Sequence, residues 1–84
     1  MDMLACNLNR SIDVPLYEQL YLYIKKEITE GRLEYGSKLP SKRKLSEFLK
    51  ISQNTVEAAY DQLMAEGYVE GIPRKGYLVL AYED

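Results

Sequence analysis

Histidine and tryptophan are absent from this 84-residue chain, and cysteine occurs once, at Cys6. Without histidine there is no Ser–His or Cys–His nucleophile pair, and the usual acid–base side chain near neutral pH is missing. One thiol makes no internal disulfide and, with no histidine beside it, no zinc site. Cys6 is therefore expected to be a packing or surface thiol. No apolar run approaches the roughly 18 residues that a spanning helix requires. The opening MDMLACNLNR places Asp2 and Asn7 among its apolar residues, unlike a secretory signal. A cytoplasmic chain with no membrane partner is expected.

What is present is one small domain's worth of globular sequence, 46% hydrophobic and 29% charged. A chain of this size buries a thin core and can hardly enclose a substrate pocket. The thirteen acids are scattered rather than paired. No catalytic, cofactor-binding or metal-ligating residue is nominated, and an enzyme is not expected.

The net charge of −2 argues mildly against a polyanionic partner, but the average hides a segregation. Residues 38–50 hold Lys38, Lys42, Arg43, Lys44 and Lys50 against Glu47 alone, and residues 71–77 add Arg74 and Lys75 with no acid. The rest of the chain is acidic. Such a molecule can present one basic face to a polyanion. A solvated helix and a charged turn would explain the same charges, so charge alone does not decide.

Residues 1–13 have no periodicity and read as a flexible lead-in. From Pro15 onward Leu16, Leu20, Ile24 and Ile28 recur at four-residue spacing, with Tyr17 and Tyr21 one step round, which predicts an amphipathic helix ended by Gly31. Tyrosines in such positions can stack on bases, but helical spacing favours a core role. RLEYGSKLP reads as a loop. Ser41 is placed to cap a short helix over 41–50 with Leu45, Phe48 and Leu49 inward. Ser52 is placed to cap a third helix reaching about Glu66, with Val56, Ala59, Tyr60, Leu63 and Met64 buried and Gly67 at its end. Two β-prone runs, 68–70 and 77–80, flank a turn containing Gly71, Pro73 and Gly76. The expected class is mainly α with a small β-hairpin (α+β): a winged helix-turn-helix of three helices and a two-stranded wing.

The strings GSKLPSKRKLSEFL, SQNTVEAAYDQLMAEGY and RKGYLV, in that order and spacing, resemble the DNA-binding domain of GntR-type bacterial transcriptional regulators. The resemblance runs from Pro15 to Val79, and its wording is most similar to the MocR branch. In that branch a domain of this kind is joined to a large aminotransferase-type domain that binds pyridoxal phosphate. The resemblance implies a lead-in at 1–13, a DNA-binding domain at 14–80, and the start of a linker at 81–84 toward an effector domain. Any pyridoxal phosphate belongs to that further domain, since nothing in these 84 residues looks built to hold it. A homodimer is implied for the intact regulator, and weak or no dimerisation for this domain alone.

A helix in the major groove reads bases with its first turn and a half. Here those positions are Ser52, Gln53, Asn54, Thr55 and Glu57. Gln53 and Asn54 have the amide geometry for adenine N6 and N7, while Ser52 and Thr55 suit phosphate or a thymine methyl. Simple capping by Ser52 and plain exposure of Asn54 are the alternatives. The family usually has Arg at Gln53 and often at Glu57, and this helix lacks the guanidinium that pairs with guanine at both places. Glu57 would repel phosphate unless it accepts from a cytosine amine or pairs with Arg43. The resemblance makes Arg43, after Ser41, a DNA contact, with Lys42 and Lys44 beside the phosphates. It makes Arg74, Lys75 and Gly76 the wing tip, reaching the adjacent minor groove. Double-stranded operator DNA is the expected partner. The competing reading is a winged-helix protein-interaction module without nucleic acid.

Overall fold

The computed structural model describes residues 7–80; Cys6 and the expected linker start at 81–84 lie outside the described residues. Helix α1 spans Leu16–Thr29. Pro15 stands at its N-cap rather than inside it, and Gly31 closes it in the left-handed region at φ +82°. Leu20, Tyr21, Ile24 and Ile28 are buried, as the four-residue spacing predicts, whereas Leu16 is only half-buried. Tyr21 is thus a core residue, and Tyr17 is exposed.

Helix α2 spans Lys42–Leu49 and α3 spans Gln53–Ala65. Both predicted caps form: Ser41 Oγ accepts from Lys44 N at 3.1 Å, and Ser52 Oγ accepts from Thr55 N at 3.0 Å. Each satisfies an amide that the first helical turn leaves without a partner. Between the helices Lys50 adopts φ +59°, and Ile51 N donates to Ser46 O at 3.0 Å, which reverses the chain in a tight turn.

One inward assignment on α2 fails. Phe48 is 51% exposed, and Ser46 is buried in its stead, its hydroxyl donating to Arg43 O at 2.8 Å. At about 100° per residue, positions 46 and 48 flank the Leu45–Leu49 stripe equally, about 80° to either side, so the way α2 packs, not helical spacing, decides that the Ser46 flank is the buried one.

The wing strands are β2, Val69–Ile72, and β3, Gly76–Val79, shifted by a residue or two from the β-prone runs. A further strand lies where a loop was expected. Lys38–Leu39, designated β1, pairs antiparallel with β3 in the register Lys38↔Leu78 and Leu39↔Tyr77, so the sheet has three strands in the order β1–β3–β2. Gly36 N to Val79 O and Val79 N to Ser37 O, both 2.8 Å, extend the pairing. Two residues have no period to recognise; β3 makes them a strand.

The core sits where α1, α3 and the sheet meet. Leu20, Ile24, Leu45, Val56, Tyr60 and Leu63 are fully buried, and Leu39, Val69 and Val79 nearly so. Tyr60 is the largest of these. Its hydroxyl donates to Pro40 O at 2.7 Å, and its ring meets Tyr77 edge-on at 4.7 Å between centroids. One side chain of α3 thereby fixes both the entry to α2 and the wing. At the far end of α3, Tyr21 OH donates to Glu66 Oε1 at 2.5 Å, tying α1 to the α3 C-cap. That hydrogen bond is the main cause holding the Glu66 carboxyl below its ordinary range.

Candidate nucleic-acid interface

The first turn of α3 is exposed at Ser52, Gln53 and Asn54, and half-buried at Thr55. The hydroxyls of Ser52 and Thr55 lie 2.8 Å apart and bond each other, so capping already employs both. The amides of Gln53 and Asn54 hydrogen-bond to none of the described residues. Both donors and acceptors of these two side chains are presented outward on a rigid helix. Base-edge recognition requires that state of a bidentate amide.

Glu57 follows Gln53 by one turn on the same face. Of the two roles open to it, pairing with Arg43 is not the one observed. Lys42 Nζ reaches Glu57 Oε2 at 2.8 Å, joining the start of α2 to α3, while Arg43 Nε pairs along its own helix with Glu47 Oε2 at 3.5 Å. The cause is angular: the first residue of α2 faces α3, and the next is rotated about 100° toward solvent. Hydrogen bonding to Glu57 is the largest influence raising the Lys42 pKa, and Tyr77 contributes. Lys42 is thus engaged by a protein carboxylate on α3.

Arg43 and Lys44 are exposed, and Lys44 has no acidic partner among the described residues. The Arg43–Glu47 pair is open to solvent on both sides, at 77% and 67% side-chain exposure, and such a pair contributes little and exchanges readily.

The wing turn is built by Pro73 and Arg74. Lys75 N donates to Ile72 O at 3.0 Å across it, and Arg74 takes φ +66°. Proline in second place and a positive φ in third are type II turn features, with arginine where glycine is usual. Arg74 and Lys75 are exposed and form no ion pair among the described residues. Gly76, at φ +100°, lies against the stem of Lys38: a Cβ there would stand 3.2 Å from Lys38 Cε. Strand β1 therefore brings Lys38 to the wing, a proximity that no local pattern in the sequence indicates.

These contacts link the wing, through Lys38 and Tyr77, to Lys42 and Glu57 on α3, while Arg43 and Lys44 lie exposed on α2 beside that path. Ser41 serves as the α2 cap at its edge. Among the described residues no group of three Cys, Asp or Glu is placed to hold a metal ion, and no lysine is buried in a pocket. No helix among them is long and apolar enough to cross a membrane.

Residues 16–79 match the family described as bacterial regulatory proteins, gntR family. The chain is 57% identical over 70 residues to the uncharacterized HTH-type transcriptional regulator YdeL of Bacillus subtilis, covering 83% of this chain and 15% of YdeL. It is 46% identical over 63 residues to the probable rhizopine catabolism regulatory protein MocR of Rhizobium meliloti, covering 75% of this chain and 13% of that one. It thus spans only a small part of these relatives' length. Among solved structures, YtrA from Sulfolobus acidocaldarius, a GntR-family transcription factor, superposes with TM-score 0.85 at 31% identity, covering 93% of this chain and 82% of that one. The AraR DNA-binding domain in complex with operator ORX1 shares the fold at TM-score 0.79 and 21% identity, covering 94% and 99%.

Proposed function

The chain belongs to the gntR family of bacterial regulatory proteins, and on that premise we propose that residues 14–80 bind double-stranded operator DNA with α3 in the major groove and the wing against the adjacent minor groove. The observation that carries the reading is the pair of unengaged amides, Gln53 and Asn54, on the exposed first turn of α3. In this arrangement they read base edges, and Lys44, Arg43, Arg74 and Lys75 supply phosphate and groove contacts. Lys42 acts indirectly, by neutralising Glu57 beside the bases.

Two kinds of contact separate in a salt titration. Arg43→Ala and Lys75→Ala each remove a charge, and each is expected to weaken binding to any duplex and flatten the salt slope by up to about one unit. Gln53→Ala and Asn54→Ala remove none. They are expected to lower the preference for operator over scrambled duplex with the slope nearly unchanged. Mobility shifts at two or more salt concentrations read both quantities. A slope flattened as much by Gln53→Ala as by Arg43→Ala would contradict the placement of α3.

In the intact protein the proposed setting is a MocR-like regulator, dimeric, with pyridoxal phosphate confined to a separate domain. The isolated chain is proposed to be monomeric at micromolar concentration. Its exposed large apolar side chains, Ile12, Tyr17, Leu22, Tyr35 and Phe48, are distributed over the lead-in, α1, a loop and α2. Tyr17 and Leu22, both on α1, point about 140° apart, so they form no single stripe. Sedimentation equilibrium measures this directly, and a tight dimer at low micromolar concentration would overturn it.

A further inference from the structure

We infer that Arg10, in the segment before α1 and outside the family match at 16–79, is a further phosphate-binding residue of the DNA interface. It is held beside the turn that opens α3. The inference rests on the DNA-binding reading above and extends the interface to a segment that the sequence assigned to a flexible lead-in.

That segment is tied down at several points. The Gln19 side chain clasps it from α1: Asn9 N donates to Gln19 Oε1 at 2.8 Å, and Gln19 Nε2 donates to Asn9 O at 2.9 Å and to Val14 O at 2.7 Å. Asn9 Oδ1 accepts from Ser11 N at 2.8 Å, and Leu8 packs against the core. Between these anchors Arg10 extends to the helix-turn-helix, where its Nη2 donates to Lys50 O at 2.8 Å.

Two features point to a ligand rather than to a cap. Lys50 is the left-handed residue of the turn, three positions before Gln53, so its carbonyl lies within about 11 Å of the helix start along even a fully extended chain. When α3 enters the groove, the flanking phosphates pass beside that turn. The second feature is the guanidinium's unused capacity. Among the described residues one of its five N–H donors is employed and it forms no ion pair with an acid, in contrast to Lys42 and Arg43. A carbonyl cap needs one neutral donor. Arginine supplies in addition a full charge and a fork that matches a phosphate, already ordered by its tether.

Phosphate contact is independent of sequence, so a labelled 30-base-pair duplex of random sequence suffices as probe. Fluorescence anisotropy between 50 and 200 mM KCl compares the wild type, Arg10→Gln and Arg10→Lys. Gln retains a donor for the Lys50 carbonyl, and circular dichroism confirms that each variant is folded. The expected result for Arg10→Gln is binding weakened about five- to tenfold at 100 mM, with the slope of log K against log salt flatter by about 0.9, one phosphate's worth. Arg10→Lys is expected to keep the wild-type slope. A wild-type slope in Arg10→Gln, or equal flattening in both variants, overturns the assignment of Arg10 and leaves the DNA-binding reading standing. Wild-type binding that does not weaken with salt overturns both.

Discussion

Tyr60→Ala is expected to remove most of the domain's stability at room temperature. The side chain is fully buried, so its removal forfeits apolar burial and leaves a cavity, together costing about 3–5 kcal/mol. Small domains have stabilities near the low end of about 5–15 kcal/mol, so a loss of that size consumes most of it. The position is also a junction. Pro40 O loses its donor, and Tyr77 loses its edge-on partner, so α2 and the wing are released from α3 together. Urea denaturation followed by circular dichroism measures the loss, and a destabilisation below about 1 kcal/mol would show that the junction is not needed.

The milder Tyr60→Phe isolates the hydroxyl. It is expected to cost about 1–3 kcal/mol by leaving the Pro40 carbonyl unpaired. Burial also pushes the Tyr60 hydroxyl well above the ordinary tyrosine range, because the phenolate is disfavoured there. A folded-state pKa above the unfolded one gives a contribution that is complete below about pH 10 and lost as pH rises beyond it. Tyr21, raised chiefly by burial and by its bond to Glu66, has the same sign. Wild-type stability is therefore expected to fall above about pH 10, and Tyr60→Phe to fall less steeply, in parallel denaturations at neutral and alkaline pH. Identical alkaline losses in the two proteins would show that Tyr60 is not the titrating group.

The second large effect is expected at Glu57, where a carboxylate stands one turn beyond Gln53 on the DNA-facing helix. With Glu57→Gln, repulsion from phosphate disappears, and Lys42 is released from its 2.8 Å ion pair to act as a free cation at the groove edge. Both changes are independent of base sequence. Binding to operator and scrambled duplex alike is expected to tighten about five- to tenfold near 50 mM salt, with the gain shrinking as salt rises. The pair makes a specific demand on the double mutant: in a Lys42→Met background, Glu57→Gln should gain at least as much, because the carboxylate removed there is no longer neutralised. A loss confined to operator would instead identify Glu57 as an acceptor for a cytosine amine, held in place by Lys42.

Much of this molecule follows from local rules. The stripe Leu20, Ile24 and Ile28 and the caps Ser41 and Ser52 act within one or two helical turns, over distances that the sequence itself specifies. The same is true of the turn built on Pro73. Their elements therefore stand where spacing and residue type place them, give or take a residue. The exposed amides of Gln53 and Asn54 belong to this group too, since they lie off the buried stripe of Val56, Ala59, Tyr60 and Leu63. The three motif strings, in order, also indicated the family.

Phe48 shows where local reading reaches its limit. An apolar residue on an eight-residue helix is assigned inward by type, yet positions 46 and 48 flank the Leu45–Leu49 stripe alike, and tertiary packing buries the serine side, which is acceptable because the Ser46 hydroxyl finds Arg43 O.

The sequence by itself determined the three helices, the turn between the last two and the wing, because capping, periodicity and turn chemistry act between residues already adjacent in the chain. Tertiary structure alone decided that Lys38–Leu39 is a strand, that Lys42 rather than Arg43 neutralises Glu57, and that Arg10 reaches Lys50. Each of those contacts joins residues 15 to 40 positions apart. A hydrogen bond or ion pair forms over about 3 Å, so which distant groups meet is set by how the helices and sheet pack, not by the residues that separate them.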